Sequence, residues 1–254
     1  MRKLLSALYG LTAYACFFGT FLYAIAFVGN CPMVRGIDAG PSVPLSEALA
    51  VDLVLLTIFA LQHSVMARPA FKRRWTRIVP PALERSTYVL MASVALALLL
   101  WQWRPVAAPV WSFAGTGAGV LLQVLFWTGW GVLLVSTFLI NHFELFGLRQ
   151  SFAPLLGLRE PAPEFRTPFF YRYVRHPIYL GFLLAFWSAR EMSAGHLLFS
   201  VMTTGYILVG IFFEERDLVA QFGTRYTEYR RRVGMLLPRL RPAAPTTTGK
   251  QRSA

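Results

Sequence analysis

Residues 4–28 of this chain run without a single charged side chain. That stretch exceeds the ~20 apolar residues a helix needs to cross the hydrocarbon core of a bilayer. Comparable stretches follow at about residues 48–67, 86–103, 117–140, 177–189 and 192–213. The pattern predicts an all-α integral membrane protein of about six transmembrane helices. The fifth stretch is short, so it tilts, starts earlier, or forms a tight hairpin with the sixth. Residues 1–238 form one transmembrane domain, and residues 239–254, rich in proline and threonine, read as a disordered tail.

Composition agrees. Hydrophobic residues make up 56% and charged residues 15%, against about a quarter charged in soluble domains. The net charge of +13 would point to nucleic acid in a soluble chain. Here the basic residues sit between apolar stretches, so the expected partner is the lipid bilayer and no nucleic acid. From the N-terminus the intervals hold two, one, six, one, five, one and nine Lys or Arg residues, which accounts for all 25. By the positive-inside rule this alternation places both termini in the cytoplasm. Removing any one span breaks it. Nothing in the pattern specifies an oligomeric state.

Arg2 and Lys3 before an apolar run resemble a signal peptide. The run is longer than the usual apolar region, and Asn30 before Cys31 makes a poor cleavage site, so an uncleaved first span is expected. Cys16 and Cys31 form neither a metal motif nor a convincing disulfide. Four scattered histidines carry no zinc spacing. Gly115-Thr116-Gly117-Ala118-Gly119 lacks the preceding strand of a nucleotide-binding loop and reads as a turn before a span.

Ionisable residues crowd two of the apolar ends. Arg175-His176-Pro177-Ile178-Tyr179-Leu180-Gly181 opens the fifth stretch, and Glu214-Glu215 closes the sixth. Charge at membrane depth is costly, so such groups mark function by default. Pro177 suits a first helical turn and leaves free amides beside Arg175 and His176, a cradle for a carboxylate or phosphate. Gly181 lets a backbone or a ligand approach closely. Glu214 and Glu215 can receive an amine or ribose hydroxyls. Beyond them Leu218, Phe222, Tyr226, Tyr229 and Val233 share one helical face, with Gly223 ending one helix and Thr224 capping the next. A basic amphipathic helix lying on anionic lipid is the plainer reading of that last region.

Arg175-His176-Pro177-x-Tyr179-x-Gly181, Glu214-Glu215-x-x-Leu218 and Gly223-x-x-Tyr226-x-x-Tyr229 together resemble the isoprenylcysteine carboxyl methyltransferase superfamily over about residues 171–238. The resemblance implies a membrane enzyme using S-adenosylmethionine, held between the last two spans and the C-terminal helices. It implies cofactor contacts at Arg175, His176, Tyr179, Gly181, Glu214, Glu215, Tyr226 and Tyr229. The aromatic faces of Tyr226 or Tyr229 are candidates for attracting a sulfonium.

Further blocks, Leu61-Gln62-His63-Ser64, Glu84-Arg85-Ser86-Thr87-Tyr88 and the run Asn141 to Gln150, look like bacterial methanethiol S-methyltransferases and their NnrU-like relatives. That resemblance implies a small thiol acceptor and a bacterial inner membrane. Thiolate is the attacking species, and a thiol near pKa 8.5 is mostly protonated at neutral pH. His63, His142 and Glu144 are candidates to meet near His176. His142 is the preferred base, oriented by Glu144 or Asn141. His196 and Asp52 read as structural. Methylation of a prenylcysteine carboxylate or a phospholipid headgroup, or a non-catalytic membrane role, stays open.

Overall fold

The computed structural model describes residues 1–158 and 164–239. Arg159, Pro161 and Pro163 lie outside these residues, as does the expected tail beyond Arg239. Five helices are long and apolar enough to cross a membrane: α1 (Arg2–Val28), α2 (Leu45–Ala67), α4 (Pro81–Gln102), α5 (Gly117–Leu139) and α9 (Ala194–Phe222). Between them lie short helices α3 (Pro69–Trp75), α6 (His142–Leu145), α7 (Leu148–Leu156) and α8 (Pro177–Trp187). A last helix, α10 (Thr224–Arg232), follows α9.

The fifth of the six expected stretches is the short apolar helix α8, joined as a hairpin to α9. This helix has 11 residues and covers about 16 Å, half of a ~30 Å hydrocarbon core. Both limits have local causes. Pro177 disfavours helical backbone at the preceding residue. At the other end the Phe186 carbonyl accepts from Ser200 Oγ at 2.9 Å and bonds His196 Nε2 at 3.0 Å, both on α9. His196 is thus a structural tie, as expected.

Three connections meet at one end of the bundle. Strand β1 (Pro109–Ser112), between α4 and α5, pairs antiparallel with β2 (Glu191–Ser193), between α8 and α9. Ser193 Oγ in turn donates to Asp38 in the α1–α2 connection. Buried Asp52 accepts the Arg104 amide at 2.8 Å, capping the same end. Thr116 Oγ1 accepts the Gly119 amide at 3.1 Å and starts α5, so the glycine-rich segment is a helix start. These are the connections with one basic residue each. Helices α3, α6, α7 and α10 occupy the opposite end.

The core joins Phe27, Leu99, Trp103, Phe126, Trp130, Phe186 and Phe199. Leu11, Val54, Leu98, Val124, Val209 and Phe212 point outward, forming the apolar belt that lipid covers. Helices α5 and α8 touch at their backbones. A Cβ added to Gly181 would lie 2.6 Å from the Gly129 carbonyl oxygen, and one added to Gly129 would lie 2.7 Å from that of Gly181. Small residues at such crossings let apolar helices approach closely.

At the far end of α9, Gly223 takes φ +58° and ends the helix, as its sequence position predicts. Thr224 does not cap α10: Gly223 is the cap residue, and no side chain caps it. The predicted face is real but divided between two helices. Leu218 and Phe222 of α9 pack with Tyr226, Tyr229 and Val233 under Phe165. The face is therefore covered by protein and unavailable to lipid.

Candidate active site

The segment entering α8 is pinned beside the chain leaving α10. Val174 bridges Gly234, the Arg175 amide donates to the Gly234 carbonyl at 2.8 Å, and the His176 amide to that of Met235 at 3.2 Å. Arg175 Nε then donates to Glu215 Oε1 at 2.7 Å, and its Nη1 to the carbonyls of Val233 and Arg230 at 2.6 and 3.0 Å. His176 Nε2 meets the same Glu215 oxygen at 3.1 Å, and Arg230 lies 3.7 Å from the other. Glu215 is thus the hub of a buried ion-pair network tying α8, α9 and α10 together. Glu214 differs. Its carboxylate is 44% exposed, 3.8 Å from His176 Nδ1 and beside Tyr179. The Tyr179 and His176 rings stand 5.6 Å apart.

The remaining predicted donor-side residues occupy other places. Tyr229 Oη donates to the Tyr171 carbonyl at 2.5 Å. Tyr226 is 2% exposed and its hydroxyl has no partner among the described residues. Burial pushes both phenols above their usual range, so they stay neutral donors. Their rings pack on each other and on Phe165 at centroid distances of 5.3–5.9 Å. Gly181 faces α5: of the two roles its sequence allowed, the backbone approach is the one observed.

Of the acceptor-side residues, His142, Asn141 and Glu144 are engaged elsewhere than at His176. His142 is enclosed among α1, α5 and α6. Its Nε2 shares a 2.8 Å hydrogen bond with Tyr14 and its Nδ1 another of 2.8 Å with Thr137. Phe138 stacks on the ring at 4.3 Å. With both nitrogens engaged the ring works as a clip, which argues against its use as a base. Glu144 does not orient it: that carboxylate accepts from Asn141 Nδ2 at 2.7 Å and Arg149 Nη1 at 3.4 Å. Asn141 itself turns the chain at φ +82°, a conformation Asn tolerates. His63, on α2, faces α4 and is bonded through Nε2 to Tyr88 at 2.8 Å, with Nδ1 buried and unpartnered among the described residues.

The His142 environment has a measurable consequence. Burial holds its imidazole below the ordinary range. The unfolded chain then binds a proton that the folded chain refuses. Its contribution to stability is complete above about pH 6.5 and is lost as pH falls below it. The purified protein should melt at lower temperature at pH 5 than at pH 7.5. His142→Gln should flatten that dependence, and a difference between variant and parent that stays constant with pH would contradict this assignment.

A shallow hollow of about 850 Å³ lies at the opposite end, lined by Gly115, Thr116, Val124, Trp127 and Arg190. It contains none of the predicted site residues. No protein-family model matches the chain, and no solved structure matches it. Among curated proteins, Methanethiol S-methyltransferase 2 of Bradyrhizobium diazoefficiens is 53% identical over 94% of this chain and 92% of its own length. Methanethiol S-methyltransferase of Mycobacterium tuberculosis is 53% identical over 94% of this chain and 98% of its own. The chain belongs to the methanethiol S-methyltransferase family. Rat Nurim is more distant, 28% identical over 82% of the chain.

As a member of the methanethiol S-methyltransferase family the chain is a membrane methyltransferase, and its chemistry requires a methyl donor. The α8–α9 end fits a polar donor: the Glu214 carboxylate is half open, and the Tyr226 hydroxyl is buried with no partner among the described residues. Among the described residues no group of three His, Cys, Asp or Glu side chains is arranged to hold a metal. Sequence reasoning left Tyr14, Thr137, Tyr171 and Tyr206 without roles. Each acts through a contact remote in the chain or at an unmarked helical position, so no local pattern announces it. Tyr88 belongs to the motif at residues 84–88, but its bond to His63 is what gives it a purpose.

Proposed function

We propose that the protein transfers a methyl group from S-adenosylmethionine to methanethiol, giving dimethyl sulfide. Near-complete alignment at 53% identity with relatives bearing that name carries the reading. When bound, S-adenosylmethionine supplies an electrophilic methyl group on a sulfonium. Glu214 and His176 would hold its ammonium and hydroxyl groups, with the Tyr226 hydroxyl as a further donor and Tyr179 closing the side toward α2. Arg175 and Glu215 fix the frame, Tyr229 pins α10 over it through Tyr171, and Gly181 sets α8 against α5. Residues 171–238 are then the donor-binding part of a single domain. Asn141, His142 and Glu144 shape the turn after α5.

The rate enhancement would come from holding sulfur and methyl in line and excluding water from the thiolate. We place this end and both termini on the cytoplasmic side of a bacterial inner membrane, because the basic connections gather there. The test is purified protein with methyl-labelled S-adenosylmethionine and methanethiol, read in the headspace gas. Labelled dimethyl sulfide above a boiled control is expected. None above it, or label in extracted lipid instead, would overturn the reading.

A further inference from the structure

Methyl transfer to a thiol requires that the thiol lose its proton, and the Glu215 network holds no free base for it. A second polar cluster lies between α2, α4 and α9. His63 is surrounded there by the rings of Tyr88, Phe59 and Tyr206, at centroid distances of 5.1, 5.5 and 6.3 Å. Tyr88 Oη fixes Nε2 at 2.8 Å. Nδ1 is buried and has no partner among the described residues, an uncommon state for a polar atom in a folded protein. Ser64 faces Tyr206 at 3.5 Å.

The cluster adjoins the donor end. A Cβ built on Gly210, one turn along α9 from Tyr206, would lie 3.9 Å from the Tyr179 hydroxyl, and Tyr179 stands against His176. Charged groups surround it on each packed element. From α4 come Arg85, 5.1 Å from the Tyr88 ring centre, and Glu84, 3.8 Å from Lys72 of α3. Arg68, at the end of α2, pairs with Asp217 of α9 at 3.2 Å. Arg85 and Arg68 supply positive potential that favours a thiolate and opposes a lasting imidazolium, so His63 passes the proton on after taking it.

We infer that the acceptor thiol docks at His63 Nδ1, which takes its proton, and that Tyr88 is the positioning residue that holds the ring for this step. The inference rests on the methyl-transfer reading above. The thiol proton passes to Nδ1. The sulfur electron pair forms the new S–CH3 bond as the methyl–sulfonium bond breaks, and that bond's electrons remain on the donor sulfur. The proton on His63 then leaves to solvent. This assignment needs Nε2–H donating to Tyr88 in the resting protein, with Nδ1 bare.

Three measurements decide it. In ¹⁵N-histidine spectra of the protein at pH 7.5, the signal lost in His63→Gln should report a bare Nδ1; a protonated Nδ1 overturns the base assignment whatever the variants do. His63→Gln should cut dimethyl sulfide formation roughly 100-fold, while S-adenosylhomocysteine binding by calorimetry stays within about twofold. Its residual rate should climb about tenfold per pH unit until the thiol ionises unaided; a rate that stays flat with pH, or equals that of the parent, overturns the inference. Tyr88→Phe should shift the acid limb of the pH–rate profile and mix the two ring tautomers without changing donor binding, and an unmoved limb removes Tyr88 from the assignment. If the parent protein makes no dimethyl sulfide, it is the methyl-transfer reading that falls, and the ring signal still tests the geometry.

Discussion

Glu215→Ala should destabilise the protein by about 3–5 kcal/mol, the usual cost of removing one partner from a buried ion pair. Its neighbour Glu214→Gln should leave the melting temperature unchanged. The two carboxylates are adjacent in sequence, but their surroundings differ. Glu215 holds Arg175 at 2.7 Å and His176 at 3.1 Å, and those side chains are only 9% and 3% exposed. Without it, Arg175 keeps only backbone carbonyls and His176 only the distant Glu214, in a place where water cannot replace the lost carboxylate. Donor binding should vanish as well, because α8 and α10 part. Glu214 makes only a distant approach to His176 and a contact with Tyr179, and its carboxylate stays half open, so little structure depends on it. A charge-assisted contact with a ligand contributes about 1.5–3 kcal/mol, so Glu214→Gln should weaken S-adenosylhomocysteine binding roughly ten- to a hundredfold. Calorimetry and thermal melting on the same preparations separate the two. Equal melting of Glu215→Ala and the parent would remove the hub, and unchanged binding in Glu214→Gln would remove the ligand contact.

That division was only half visible in the sequence. Hydropathy located α1, α2, α4, α5 and α9 to within a few residues at most ends, because lipid makes burial a property of the stretch itself and leaves little to partners. It failed where tertiary contacts decide. The length of α8 depends on what accepts at Phe186, and α9 runs past Phe213 to Phe222 because its last turns are covered by Phe165 and α10. The same limit applies at the site. Arg175, His176, Glu214 and Glu215 were legible as ionisable groups at apolar ends. Which carboxylate is enclosed, and which histidine keeps a free nitrogen, depends on neighbours dozens of residues away. His142 and His63 look alike in sequence, each at the end of a span. Thr137 and Tyr14 close both nitrogens of His142, while among the described residues only Tyr88 hydrogen-bonds His63.

The short α8 makes the Gly129–Gly181 contact the second place where a small change should have a large effect. Gly181→Ala puts a methyl group 2.6 Å from the Gly129 carbonyl oxygen and 2.8 Å from the Leu133 amide nitrogen. Both are backbone atoms of a helix and cannot swing aside, so α8 must move as a body. Overpacking of this kind costs typically about 1–3 kcal/mol even where side chains can adjust, and rigid backbone puts this case at the upper end. With 11 residues, about three turns, α8 has little length over which to spread the shift, and His176 caps its first turn. Gly181→Ala should therefore lower the melting temperature and also pull His176 off Glu215, weakening donor binding more than tenfold. Gly131→Ala, two residues along α5 from the contact, meets nothing within 4 Å and should be neutral or slightly stabilising. Equal losses in the two variants would mean that α5 tolerates no alanine at all, and that the close crossing is not what holds His176 in place.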